Sequence, residues 1–129
     1  MSSYLLDTHV MLWLANDSEL LTDRVKDAFL DDNNSFFLSI ASVWEMAIKM
    51  SLNKLSLSCT LDTFIDDHVR SNNISVAQIK AHHCYMVQNL PYYHRDPFDR
   101  IIIAQAIQEN LTLISKDSAI RKYDVDSFW

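Results

Sequence analysis

The stretch His94-Arg95-Asp96-Pro97-Phe98-Asp99-Arg100-Ile101-Ile102-Ile103-Ala104-Gln105-Ala106 sets two acids, three residues apart, at the head of an apolar run. Proline fits the first position of a helix, because its missing N–H is one of those that a helix start leaves unpaired anyway. Asp96 then stands at the N-cap, where a side-chain oxygen accepts a backbone N–H. Asp99 falls in the first turn, close to the positive end of the helix dipole. Behind it only Gln105 interrupts isoleucine and alanine, the pattern of a helix covered by other layers. A helix of that kind has little packing reason to carry a second acid. An Asp-x-x-Asp cap suited to the dipole explains this stretch taken alone. The other acids of the chain alter that reading.

Downstream, Asn110 ends the helix in left-handed geometry and Leu111 to Ser115 is an apolar strand. Asp117 to Lys122 makes one or two helical turns, and Val125 to Trp129 a last strand. Upstream, Pro91 stops a helix over Gln78 to Leu90. Ile74 to Ala77 is a weaker strand, and Thr60 or Asp62 caps a helix that runs to about Ser71. The first half alternates in the same way: strand Tyr4 to Leu6, helix His9 to Leu14, amphipathic helix Leu21 to Leu30, strand Ser35 to Ser39, helix Ala41 to Met50. Apolar strands that alternate with helices predict an α/β fold, a mainly parallel sheet with helices on both faces in a three-layer α/β/α sandwich. At 129 residues the chain, 1–129, reads as one domain. Parallel sheets of this kind bind ligands at the carboxyl ends of their strands.

The composition removes several functions. A net charge of −6 argues against a generic nucleic-acid-binding surface. It leaves open an enzyme that meets phosphate through cations, since the acids holding those cations add to the count. With no glycine in the chain a phosphate-cradling glycine loop is excluded, and tight turns fall to Asn33-Asn34, Asn53, Asn72-Asn73 and Asn110. Cys59 and Cys84 stand apart from any zinc-ligand spacing and read as free thiols in a reducing cytoplasm. No apolar run reaches the ~18 residues of a membrane span, and Met1 to Asp7 lacks the basic region of a signal peptide.

Five acids fall on one edge of the predicted sheet. Asp7 closes the first strand, Glu45 lies in the first turns of the helix after the Phe36 strand, Asp96 and Asp99 open a helix, and Asp117 follows the Leu111 strand. Singly, each has a local explanation: Asp7 or Thr8 as a cap, Glu45 in a Ser42-Val43-Trp44-Glu45 capping box or paired with Lys49, Asp117 as the cap of a short helix. Caps do not explain why the acids follow strands whose ends should meet. Carboxylates gathered in one cleft repel one another unless a cation lies among them, and oxygen ligands without paired Cys or His suit magnesium or manganese. Divalent ions held by carboxylates are the apparatus of phosphodiester hydrolysis. Lys49, Lys116, Arg95, Arg100 and His94 lie near enough in sequence to touch phosphate. His68, His82 and His83 read as surface or half-buried, and Trp13 and Trp44 as core or groove-lining.

Four motifs carry a resemblance: Leu5-Leu6-Asp7-Thr8-His9, Ser42-Val43-Trp44-Glu45, His94-Arg95-Asp96-Pro97-Phe98-Asp99-Arg100 with Ile103-Ala104-Gln105-Ala106, and Leu113-Ile114-Ser115-Lys116-Asp117. In this order and at these distances they resemble the PIN domain, and more narrowly the VapC-type toxins of bacterial type II toxin–antitoxin pairs. The resemblance runs from Tyr4 to Trp129. It implies a PIN-like parallel sheet, a magnesium- or manganese-dependent ribonuclease in the cytoplasm, frequent homodimers and a small antitoxin that blocks the site. Carried over by position, the catalytic and metal-holding acids are Asp7, Glu45, Asp99 and, more variable, Asp117. Asp96, Thr8 and Ser115 are accessory candidates, and His94, Arg100 and Lys49 weaker candidates for contact with substrate. Asn53 stands where relatives commonly have glycine, and Asn adopts the same backbone.

The expectation is an endoribonuclease in which Asp7, Glu45 and Asp99 hold one or two ions and metal-activated water cleaves the phosphodiester. A rival is a non-catalytic module that uses the acids for a structural cation or a basic partner. A phosphatase or phospho-acceptor domain ranks last, because Asp7 is followed by Thr8-His9 rather than by an acid two residues on.

Overall fold

A computed structural model of the protein describes every residue from Met1 to Trp129. Its strands are β1 (Ser3–Leu6), β2 (Ser35–Ser39), β3 (Ile74–Ala77), β4 (Thr112–Ile114) and β5 (Ser127–Phe128). All pair in parallel, in the order β3-β2-β1-β4-β5. The helices are α1 (Thr8–Ala15), α2 (Asp23–Leu30), α3 (Ile40–Ser51), α4 (Leu61–Phe64), α5 (Ala81–Val87) and α6 (Pro97–Gln108). None is long and apolar enough to cross a membrane.

The strands are apolar throughout because both faces of the sheet are covered. Tyr4, Leu6, Phe36, Leu38 and Ile114 point to one face, where they pack on Val10, Met11, Val25, Met46 and Phe64 from the helices. Leu5 and Leu113, one residue out of phase, meet Ile102, Ile103 and Ala106 of α6 on the other. α6 is therefore buried along most of its length, as its isoleucine and alanine run predicts. This is the three-layer α/β/α arrangement.

The chain departs from the expected helices in two places. The stretch expected to be one helix from Thr60 to Ser71 starts at the Thr60 cap but splits into α4, a π turn over Ile65–Val69 and a 3-10 turn over Arg70–Asn72. The cause is the spacing of its buried residues, Phe64, Ile65 and Val69. A residue five positions on falls roughly 140° away in an α-helix, and the wider π turn rotates Val69 back toward the core. The helix expected over Gln78 to Leu90 shrinks to Ala81–Val87. Gln105 Nε2 donates to the carbonyls of Ala77 and Gln78, pinning that entry segment to α6. At the other end the carbonyls of Val87 and Leu90 are taken by Arg100.

Asn53, Asn73 and Asn110 take positive φ, at 56°, 58° and 55°, as a chain without glycine requires. Asp17, at 49°, is a fourth such position and was not expected. Asn33-Asn34 turns without positive φ; Asp31 Oδ1 accepts the Asn33 N–H instead.

Candidate active site

The strand order reverses direction between β1 and β4, and a crevice opens at the carboxyl ends of strands at such a switch point. Asp7 follows β1 and Ser115 follows β4, so the two meet across it. The Ser115 hydroxyl donates to Asp7 Oδ2 at 2.6 Å, and the Asp7 N–H continues the ladder to Ile114 O. Asp7 occupies the N-cap position of α1, yet its side chain caps nothing. The carboxylate faces the crevice, and the local cap explanation fails here.

β2 passes into α3 without a loop. Ser39, the last residue of the strand, caps the helix through Ala41 N, which places Glu45 in the second turn and rules out a Ser42–Glu45 capping box. Glu45 is only 4% exposed. The Thr8 hydroxyl lies 2.8 Å from Glu45 Oε1 and 2.8 Å from Ser42 Oγ; with a single proton, it donates to the carboxylate and accepts from Ser42. Lys49 Nζ, one turn on, bonds Glu45 Oε2 at 2.7 Å. That bond, ahead of the fields of Asp96 and Asp99, raises the Lys49 pKa.

At the head of α6 the two acids divide their work. Asp96 Oδ1 accepts from Phe98 N at 2.8 Å and Asp99 N at 3.3 Å, a complete N-cap with Pro97 behind it. Asp99 points into the crevice. Burial, then the nearby charges of Asp7 and Asp96, push its carboxyl up to about 7, against a smaller opposing pull from His94. Glu45 adds to the upward push. A carboxyl that feels Asp7 and Glu45 from two other elements belongs to one cluster with them.

Asp117 opens the 3-10 turn Ser118–Lys122 and caps it through Ala119 N, as its local explanation has it. Its other oxygen, Oδ2, lies 2.7 Å from His94 Nε2, and the same nitrogen lies 3.1 Å from Asp99 Oδ2. His94 is thereby drawn into the cluster. Ser115 holds Asp117 as well, accepting its N–H at 3.1 Å.

Arg100 is corrected as a candidate for substrate contact. Its side chain turns inward and is 3% exposed. Its guanidinium donates to the carbonyls of Val87, Leu90, Pro91 and His94 and lies 4.0 Å over the Tyr92 ring. With four of its five N–H donors spent on backbone carbonyls and the side chain buried, the guanidinium is not presented to phosphate. His83, expected near the surface, is buried at 1% exposure. Its ring accepts from Lys80 N and donates to Glu109, which lowers the Glu109 pKa. Ser42 and Tyr123 join the site without having been singled out. Ser42 stood inside a quoted motif, whereas nothing in the sequence ties Tyr123 to the Pro91–His94 loop, where its hydroxyl accepts from His94 N and donates to Pro91 O.

Beside the acids runs an apolar groove of about 400 Å³, lined by Ile40, Trp44, Ile79, Pro97, Phe98 and Ile101 among others. Trp44 is 63% exposed there and meets the Phe98 ring edge-on at 5.1 Å. Trp13 instead packs partly buried against Trp129.

Comparison with known proteins places this geometry. Ribonuclease VapC22 of Mycobacterium tuberculosis is 25% identical over 126 residues, covering 95% of this chain and 93% of that protein. The fold is similar to that in the crystal structure of VapBC2 from Rickettsia felis bound to a DNA fragment from their promoter, with a TM-score of 0.73 at 16% identity over 98% of this chain and 97% of that one. It is also similar to DNA-bound VapBC from Salmonella typhimurium, at 0.71 and 12% identity over 99% and 98%. The PIN domain family model matches residues 4–126, nearly the whole chain, and the protein belongs to that family.

Proposed function

We propose that the protein is a divalent-metal-dependent endoribonuclease and the toxin of a type II toxin–antitoxin pair. The observation that carries this is the arrival of Asp7, Glu45 and Asp99 from three elements at the sheet's switch point, where burial, then the charges of Asp7 and Asp96, with a further push from Glu45, raise the Asp99 carboxyl to about 7. The resemblance to a ribonuclease over nearly the full length of both chains supports the chemistry. The toxin–antitoxin complexes among the structural neighbours support the partner.

The donor set fits magnesium or manganese: clustered carboxylate oxygens, no thiolate among them, and hydroxyls of Thr8 and Ser115 fixing the orientation of two acids. Asp7, Glu45 and Asp99 would hold the ion, with Asp117 at the margin. Once bound, a divalent ion supplies the charge that makes water nucleophilic at neutral pH and offsets charge building on phosphate oxygens. The protein's own share is positional. Ser115 and Thr8 lock the Asp7 and Glu45 carboxylates, and Lys49 balances charge on the outer side of Glu45. Asp96 fixes the head of α6 and with it Asp99.

The antitoxin partner would lay an apolar segment along the Trp44–Phe98 groove and insert an Arg or Lys among the acids, since a guanidinium binds two carboxylate oxygens at once. The same reading carries the expectation of homodimers and a cytoplasmic location. The test is cleavage of several single-stranded RNAs by purified protein with magnesium, manganese or chelator. Asp7→Asn and Asp99→Asn should abolish cleavage. Activity that survives chelation, or full activity in either variant, would remove the assignment.

A further inference from the structure

We propose that His94 is a positioning residue that occupies the half of the acid cluster between Asp99 and Asp117, so that the protein takes one divalent ion readily and a second only when the imidazole gives way. The inference rests on the metal-dependent reading above and adds to it the number of ions and the residue that sets it.

The proton on the ring is placed by its two neighbours. Nδ1 faces the Asp96 N–H at 3.3 Å and can only accept there. Nε2 therefore carries the hydrogen, and it lies 2.7 Å from Asp117 Oδ2 and 3.1 Å from Asp99 Oδ2. The nitrogen aimed at the acids is a donor and not a lone pair. To bind an ion through Nε2 the ring would have to carry its proton on Nδ1, against the N–H of Asp96. The chemistry makes His94 a poor ligand and a good placeholder.

The placement is built in. The His94 N–H donates to the Tyr123 hydroxyl at 2.9 Å, and the His94 carbonyl accepts from the buried Arg100 at 3.4 Å. Both bonds belong to the main chain, so the backbone is held whatever side chain it carries. Each Asp117 oxygen already has a partner, since Oδ1 caps Ala119 N at 2.9 Å while Oδ2 takes the ring N–H. An ion shared by Asp99 and Asp117 would draw on the Asp117 oxygen that the ring N–H now holds and on the Asp99 oxygen 3.1 Å from the same nitrogen. Asp7 and Glu45 are arranged differently: a hydroxyl orients each, Ser115 on Asp7 and Thr8 on Glu45, the Lys49 ammonium takes the other Glu45 oxygen, and no side chain hydrogen-bonds both carboxylates.

Metal-free wild type, His94→Ala and His94→Gln are titrated with manganese by calorimetry, and bound manganese is counted by electron paramagnetic resonance. Wild type should show one tight event and a weak second. His94→Ala should tighten the second about ten-fold or more, the worth of a hydrogen bond to a charged group that no longer has to be broken. His94→Gln, whose amide donates from similar reach, should behave as wild type. An unchanged second event in His94→Ala overturns the proposal. So does weaker manganese binding, which would make the ring a ligand. No manganese uptake by wild type would overturn the nuclease reading itself, whereas the difference between wild type and variant bears on His94 alone. Melting in chelator verifies that each variant is folded, and His94→Leu carries the same expectation as alanine.

Discussion

Asp99→Asn should make the metal-free protein more stable at neutral pH while it abolishes cleavage. Burial, then Asp7 and Asp96, raise the Asp99 carboxyl from its ordinary 3.8 to about 7. Each tenfold in proton affinity is worth 1.36 kcal/mol, so the ionised group costs the fold at most about 4 kcal/mol. Asparagine keeps part of the burial cost, so about 2 kcal/mol should be recovered. For a chain of this size that is roughly 6–10 °C in melting temperature. The sign follows from a folded pKa raised above the unfolded one. Below about pH 4 the carboxyl is protonated in both states and costs nothing; stability is lost as pH climbs from about 4 to about 7, and above that the loss is complete. The gain in Asp99→Asn should thus be near zero at pH 4 and full at pH 8, read from circular dichroism melts in chelator. Saturating magnesium should narrow the gap, because an ion that binds only the folded state stabilises wild type by mass action. Equal melting temperatures at pH 8, or a gain at pH 4 as large as at pH 8, would refute the account of a crowded, desolvated acid.

Asp96→Ala should lose about 0.5–2 kcal/mol in urea melts, the cost of an N-cap, and a catalytically dead but fully stable variant would reverse the roles given to Asp96 and Asp99. Arg100→Met should lose at least about 3 kcal/mol by denaturant titration, because four carbonyls are left without their donor; a change within about 0.5 kcal/mol would mean that water replaces the guanidinium. Trp44→Ala should weaken antitoxin binding by at least about 2 kcal/mol in calorimetry, and unchanged affinity would remove the groove from the interface. Magnesium should weaken the same complex if a basic side chain lies among the acids, whereas affinity indifferent to magnesium would leave simple steric cover.

Most of the fold was legible because apolar strands of three to five residues and the caps around them are local signals. Asp96-Pro97 marks the start of α6 unambiguously, and the isoleucine run marks its burial. Asp7, Glu45 and Asp117 were legible as a set because each comes at or soon after a strand end, and parallel pairing brings strand ends together; Asp96 and Asp99 were legible from the helix start they open. What the sequence concealed was set by side chains that reach across it. Arg100 reads as a phosphate contact by its neighbours, yet it turns inward to carbonyls six to thirteen residues earlier in the chain. Glu45 matches a capping box by spacing, but β2 runs straight into α3 and moves the cap to Ser39. The π turn arises from Val69 needing the core face, which no propensity announces. His94 reads in the sequence as a weak candidate for substrate contact; its place against Asp117, 23 residues on, is set by the fold.

The Arg100 guanidinium has a consequence for how the molecule breathes. The segment from Gln88 to Arg95 has no helix or strand of its own, and such a segment is ordinarily the first to open. Here its carbonyls are fastened to a side chain rooted in the most buried helix, and Tyr123 fastens it again from the other side. The loop cannot open locally without stranding a buried cation, so its opening is coupled to that of α6. The His94 amide should then exchange with solvent nearly as slowly as the α6 core. The edge of the acid cluster then belongs to the slow-exchanging unit of the protein, and the geometry of the site lasts as long as the fold itself.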